Sequence, residues 1–383
     1  MGPLGGAEPD ETSLKQQEYQ QLVKALGRGA KGARSLMLEE ARFLITGFNH
    51  GYGTRAQLAA SLMLMRVRGE SIAEIAGVAL GIQSTMDTQW KTIGASIDWP
   101  CYAGKRDMLP WLLLAAKVLA GEGERVLLHG DPYSLSHRRH IGNFVTSLGI
   151  PIVTSPESAK LALDQVGICY LDADCLTPLV AKFRILHQEL GLRSLFQTAI
   201  RCCNPSSAPV SLRSYFHPGL DEVHAQVAAA MAGLSGEHHS EQNIGIFKGV
   251  QGETEVNPRI TTELLVVTAK TQQRLVIPTR LVGIVGINSL VSKTRCDAGQ
   301  ADMLLSELWC KGKLDPLNGE LKEDCNKLTQ LATASVLSTL SAIYLLKGRN
   351  RCVEESDKQA LNAWQGRTCR AKEMKTDIEL EVS

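Results

Sequence analysis

The sequence predicts an α/β protein: a small N-terminal helical domain followed by a larger α/β domain on a mostly parallel central sheet. Three observations predict it. Apolar residues recur at helical spacing from Ser13 to Gly94. After Asp98 the texture changes, and short β-branched or apolar runs alternate with helical stretches, the pattern of strands joined by crossover helices. The chain has 383 residues, 44% hydrophobic and 21% charged, enough for one large or two ordinary domains with a sizeable core.

Residues 1–13 read as a flexible tail of Gly, Pro and acids with little to bury. The helical domain is placed at 14–95. Tyr19, Leu22, Val23 and Leu26 share one helix face, and Gly27 or Gly29 ends that helix. Leu36–Gly47 gives a second helix and Thr54–Val67 a third, with Thr54 as its N-cap. Ser71 caps a fourth, Glu74 completing a capping box. The strand-like runs are Arg125–Leu128, Ile150–Val153, Gly167–Tyr170, Val210–Phe216, Ile244–Phe247 and Leu264–Val267. Ile141–Leu148 and Asp221–Met231 are helical between them. Residues 176–200 are helical again and are expected to pack back onto the first domain. The α/β domain is therefore 96–175 and 201–347. Ala301–Trp309 and Cys325–Leu346 are its last helices, and 348–383 reads as a polar, partly disordered tail.

Net charge is +1, so no global field draws the chain to nucleic acid or membrane, and an anion site must come from local clustering. Ten cysteines form no CxxC pair and no zinc-like spacing. They read as reduced thiols, and the N-terminus has neither the basic nor the apolar region of a signal peptide, so a cytoplasmic protein is expected. The most apolar windows, Met108–Ala120 and Ala334–Leu346, are too short to span a bilayer and read as core helices.

The chemistry concentrates between Asp98 and His140. Gly104-Lys105-Arg106 opens a loop, an apolar helix follows, and a short strand leads to His129-Gly130 and a second basic loop with Arg138 and Arg139. This order sets two loops at one edge of an α/β sheet, where ligands bind. Both are basic, so the ligand is read as anionic; the competing reading of each cluster is a solvated face. Cations also outnumber acids in three stretches: Lys24, Arg28, Lys31 and Arg34; Lys182, Arg184, Arg193, Arg201 and Arg213; and Arg259, Lys270, Arg274, Arg280, Lys293 and Arg295. Aromatics are 5%, and no stacking platform is evident. His129 reads as a structural strand-end histidine, and Arg193 as a hinge residue ahead of a ligand contact.

Several motifs in order resemble the anthranilate phosphoribosyltransferase (TrpD) group of glycosyltransferase family 3, and more closely its TrpD-like, YbiB-type DNA-binding subgroup. They are Gly27-Arg28-Gly29 with Ala33-Arg34, Arg66-Val67-Arg68-Gly69-Glu70 with Glu74 and Gly77, His129-Gly130, Gly191-Leu192-Arg193-Ser194-Leu195-Phe196 with Asn204-Pro205, His217-Pro218, and Gly249…Gly252-Glu253…Asn257-Pro258. The resemblance runs from about Tyr19 to Lys347. It implies a helical domain hinged to the α/β domain, a type-3 phosphoribosyltransferase or nucleoside-phosphorylase-like fold, and dimerisation through the helical domain.

The same resemblance exposes departures. The family holds phosphoribosyl pyrophosphate on a GTGGDG loop; here that loop is Cys101-Tyr102-Ala103-Gly104-Lys105-Arg106, with one glycine and Lys105 in place of the Asp. The family's N-x-S-T falls on Trp111-Leu112-Leu113-Leu114, and its Asn-Arg-Ser after His-Gly becomes Asp131-Pro132-Tyr133. Its metal-binding Asp-Glu pair is met by Glu253 and Glu255, weak candidates as metal ligands. Gly104, His129, Gly130, Asn204, Glu253 and Asn257 are read as a vestigial donor pocket. The leading expectation is a sequence-non-specific nucleic-acid-binding homodimer without cofactor, using Lys105, Arg106, Arg138, Arg139, Arg193 and Arg201. The alternative is a transferase with an altered donor site, acting with magnesium on an aromatic or nucleobase-like acceptor.

Overall fold

A computed structural model of the chain describes residues 10–29, 31–232, 242–281, 298–316, 322–348 and 351–381. Its contacts divide the chain into two units: Met1–Asp87, Thr177–Cys203 and Gln226–Leu234 form one, and Thr88–Leu176, Asn204–Ala225 and Ser235–Ser383 the other.

The first unit is helical: α1 (Glu11–Gly27), α2 (Leu38–Asn49), α3 (Arg55–Arg68), α4 (Ile72–Gln83), and later α7 (Leu179–Leu190) and α8 (Phe196–Ala199). Tyr19, Leu22 and Leu26 face its core, as their spacing requires, while Val23 lies at the margin. Thr54 caps α3 through Gln57, and Ser71 caps α4 through Glu74. Glu74 does more than cap: fully buried, it also accepts the Leu36 N–H at 3.0 Å and pairs with Arg68 at 2.5 Å, so one carboxylate ties three segments together. Gly77 and Gly81 let α4 approach α2, since a Cβ on Gly77 would lie 2.2 Å from the Leu38 carbonyl.

The second unit is built on an eight-stranded sheet: β1 (Ile97–Pro100), β2 (Val126–Gly130), β3 (Ile152–Val153), β4 (Ile168–Asp172), β5 (Val210–Tyr215), β6 (Asn243–Lys248), β7 (Thr262–Val267) and β8 (Gln272–Ile277). The order is β3-β4-β2-β1-β5-β6-β7-β8. The first six strands in this order are mutually parallel, and β7 and β8 add on antiparallel. Strands β1, β2 and β4 are buried along almost their whole length, which is why β2 and β4 read as largely apolar runs. α5 (Leu112–Gly121) and α6 (Pro156–Val166) serve as crossovers, and α9 (Leu220–Ala232) follows β5. α10 (Ala298–Lys311), α11 (Lys322–Lys347) and α12 (Val353–Glu381) complete the described elements. α11 is long and apolar enough, by length and composition, to cross a membrane, but 72% of its most apolar window is buried in the protein, against α5, α12 and β6.

Four expectations change. Ile141–Leu148 is not one helix but two 3-10 turns, Ile141–Asn143 and Thr146–Leu148; Gly142 sits against the Tyr170 ring and Gly149 is left-handed. Two strands escaped the pattern: β1, only four residues long and ending in Pro100, and β8, a polar edge strand with most side chains exposed. Residues 353–381 form a helix, not a tail. Ala360, Ala363 and Trp364 are buried in the core, and Trp364 lies 3.6 Å beneath the Arg367 guanidinium. Helix α1 begins at Glu11, capped by Asp10, ahead of the expected boundary. Lys293 and Arg295 lie outside the described residues.

Candidate functional site

Because β4, β2, β1, β5 and β6 run parallel, the loops that leave their C-terminal ends gather on one edge. The strand order reverses at β1, whose neighbours are β2 on one side and β5 on the other; crevices at such switch points take ligands. Three loops meet there: 101–107 after β1, 131–140 after β2 and 249–256 after β6.

The 101–107 loop is pinned from two directions. Lys105 forms an antiparallel bridge with Arg139, each N–H donating to the other's carbonyl at 2.9 and 2.8 Å. On the other side Gly104 N–H donates to Glu253 Oε2 at 2.8 Å, and Gln251 Oε1 accepts from Arg106 N–H at 2.7 Å and Asp107 N–H at 3.3 Å. Gly104 has φ +65°, and a Cβ there would lie 2.8 Å from Arg138 Cβ, so turn and close approach both require glycine. Gly130 is required for a similar reason, since a Cβ would lie 2.2 Å from the Cys101 carbonyl.

Lys105 and Arg106, adjacent in sequence, part company. Lys105 turns inward and is fully buried, its Nζ 2.9 Å from Glu255 Oε1, an ion contact not aligned as a hydrogen bond. Burial pushes the Lys105 ammonium below the usual lysine range, and Glu255 opposes that shift. Glu255 also accepts the Leu112 N–H at 2.9 Å and the Ser335 hydroxyl at 2.7 Å. Glu253, likewise buried, takes the Thr254 N–H at 3.0 Å as well as Gly104. Arg106 points outward and lies 5.8 Å over the Phe216 ring, which is 42% exposed and stands edge-on to His217. Arg138 and Arg139 are half-buried, their guanidinium groups against the Gly104 and Asp107 carbonyls at 3.4 Å.

A second polar chain runs beside β1. The Ser211 hydroxyl donates to Asp98 Oδ2 at 3.1 Å, Asp98 Oδ1 meets His129 Nε2 at 3.1 Å, and His129 Nδ1 meets the Tyr102 hydroxyl at 2.9 Å. Asp98 and His129 are fully buried, and Tyr102 is half-buried at the loop. His129 is thus a strand-end histidine whose ring is fixed at both nitrogens.

Residues 20–86 match the helical bundle domain of the glycosyl transferase family. Anthranilate phosphoribosyltransferases are similar over a longer stretch. That of Persephonella marina is 27% identical over 248 residues, 64% of this chain and 70% of its own length. That of Symbiobacterium thermophilum is 28% identical over 247 residues, 63% and 70%. The solved anthranilate phosphoribosyltransferase of Thermus thermophilus shares the fold at a TM-score of 0.67 and 18% identity, covering 92% of this chain and 96% of that one. The chain resembles glycosyltransferase family 3 proteins in its helical domain and in its fold. The yeast anthranilate phosphoribosyltransferase, solved with Mg bound as a Ser-to-Ala variant, matches at a TM-score of 0.68 and 15% identity over 96% of this chain and 98% of its own.

Of the residues singled out in the sequence, Gly104, Lys105, Arg106, His129, Gly130, Arg138, Arg139, Glu253 and Glu255 come together at one edge. The others do not join them through any described contact. Asn204 closes its own turn through Ala208, and Asn257 holds the backbone and side chain of Arg259. Arg193 and Arg201 belong to the helical unit, Arg201 among helices where residues 201–347 were expected in the α/β domain. One reading is corrected outright: Lys105 is not an exposed anion-binding cation, and Glu253 and Glu255 are buried with it. The basic stretches also weaken in space: Arg34 pairs with Glu40, Arg274 with Asp221, Glu222 and Glu263, and Arg280 with Asp357, while Arg213 is buried. Sequence reasoning missed Gln251, Tyr102, Asp98 and Phe216. Only Tyr102, two residues before the single loop glycine, carried a readable signal.

Proposed function

We propose that this chain is a divergent, anthranilate-phosphoribosyltransferase-like protein that has exchanged phosphoribosyl transfer for sequence-non-specific binding of nucleic acid as a cytoplasmic homodimer. The observation that carries the reading is the exposed Arg106 guanidinium over the exposed Phe216 ring, next to His217 and within a loop bridged to Arg139. A cation stacked on an aromatic ring at a ligand-binding edge suits a base face and a phosphate together. Lys248, exposed at the end of β6, extends the positive edge. Phosphate capture by the backbone is disfavoured, because Glu253, Gln251 and Arg139 already take the loop N–H groups. Met37, Leu64 and Val67 leave apolar surface on the helical unit, which supports dimerisation there.

The test is fluorescence anisotropy of labelled single- and double-stranded oligonucleotides at low and moderate salt. Binding that falls steeply with salt, loses affinity about tenfold or more in Arg106→Glu/Phe216→Ala and shows a reduced salt slope supports the reading. No binding at low salt overturns it.

One observation favours the transferase reading: the Asp98–His129–Tyr102 chain orients a phenol at the switch-point loop, the arrangement that general acid–base chemistry uses. Saturable, magnesium-dependent binding of phosphoribosyl pyrophosphate by calorimetry would favour it over nucleic-acid binding.

A further inference from the structure

Glu253 and Glu255 are separated by Thr254 alone, and both are fully buried. Two carboxylates in one buried site stay ionised together only beside positive charge. Such a donor set is also what a hard divalent cation takes. Here the positive charge comes from the chain itself. Lys105 has no exposed surface and reaches Glu255 at 2.9 Å, and the Glu253 carboxylate also favours its charged form. The Lys105 contact coincides with the locking of its loop: Gly104, Arg106 and Asp107 donate to Glu253 and Gln251, and Lys105 N–H donates to Arg139.

We propose that Lys105 Nζ is a resident cation: it occupies the buried Glu253/Glu255 site in place of a divalent ion and clamps the 101–107 loop onto 251–255. The residues therefore do not fit a bound magnesium, and the class of ligand shut out is a divalent metal with its polyphosphate. The chain is self-liganded twice over. A lysine stands where a metal would, and a glutamate and a glutamine amide stand where phosphate oxygens would accept from the backbone. Anions reach this edge only through outward side chains such as Arg106. The inference rests on the buried contacts and is independent of what the exposed edge binds.

The experiment uses the full chain and Mn²⁺ as probe, followed by electron paramagnetic resonance. Wild type is expected to show no saturable Mn²⁺ site. Lys105→Ala is expected to gain one, and Lys105→Ala/Glu255→Gln to lose it again. Ethylammonium chloride, which refills the truncated position, should raise the Tm of Lys105→Ala and leave wild type unchanged. A folded Lys105→Ala that responds to neither Mn²⁺ nor ethylammonium overturns the proposal, as does a wild-type Mn²⁺ site that Glu255→Gln removes. Should Lys105→Ala not fold, amine-reactive labelling of the wild type decides. Lys105 is expected to stay unmodified while exposed Lys248 is modified, with or without millimolar Mn²⁺. Labelling of Lys105 in the native protein, or its release by Mn²⁺, overturns the proposal.

Discussion

Glu255→Gln tests the energetics of the sheet edge most directly. The substitution keeps the volume and one carbonyl acceptor, so one of Leu112 N–H and the Ser335 hydroxyl retains its partner. What it removes is the negative charge 2.9 Å from a fully buried ammonium. An uncompensated buried charge costs about 3–5 kcal/mol, several times a neutral hydrogen bond. Lys105 can relieve part of that by losing its proton, since burial already holds it below the usual lysine range. The expected loss is therefore about 3 kcal/mol, read from urea unfolding followed through the buried Trp99 and Trp111. Adding Lys105→Met should then restore stability, because it takes away the charge that Glu255→Gln strands. A double variant less stable than Glu255→Gln alone would refute the reasoning, as would a loss below about 1 kcal/mol in the single variant.

Further outcomes follow from the same contacts. Burial pushes the Cys169 thiol up to about 12, so the folded state keeps a proton that the unfolded state loses from about pH 9. Stability relative to Cys169→Ala should fall as pH rises through that window, by at most about 1.4 kcal/mol per pH unit, in paired urea titrations. Gly130→Ala should cost about 3 kcal/mol or more in the same unfolding assay, because its Cβ would stand 2.2 Å from the Cys101 carbonyl where the buried strands β1 and β2 end. Trp364→Ala should cost about 3–5 kcal/mol and lower the Tm, which a disordered tail would not do.

The helical unit was legible because its signals are local. Capping boxes, glycine at close helix contacts and the 3.6-residue face are each written within a few positions, and Thr54, Ser71 and Tyr19 behave as their neighbours require. The parallel sheet was legible in outline for the same reason, while β1 and β8 were lost because one is short and the other faces water at an edge. The 353–381 stretch reads as polar because its burial depends on a few small residues and one tryptophan meeting α11 and α5, a tertiary fact. The candidate site shows the limit most sharply. Sequence gives adjacency, but in extended chain adjacent side chains face opposite ways. The bridge to Arg139 holds Lys105 in such a segment, so one of two neighbouring cations goes to solvent and the other to the interior. Glu253 and Glu255, two apart, are both buried: Glu255 meets the inward cation, and Glu253 takes the Gly104 N–H. A cluster of charge in sequence is thus two opposite things in space: an exposed guanidinium at Arg106, and an ammonium at Lys105 buried against Glu255. What separates them is the hydrogen-bond register of one short bridge, and that register depends on a loop more than thirty residues away.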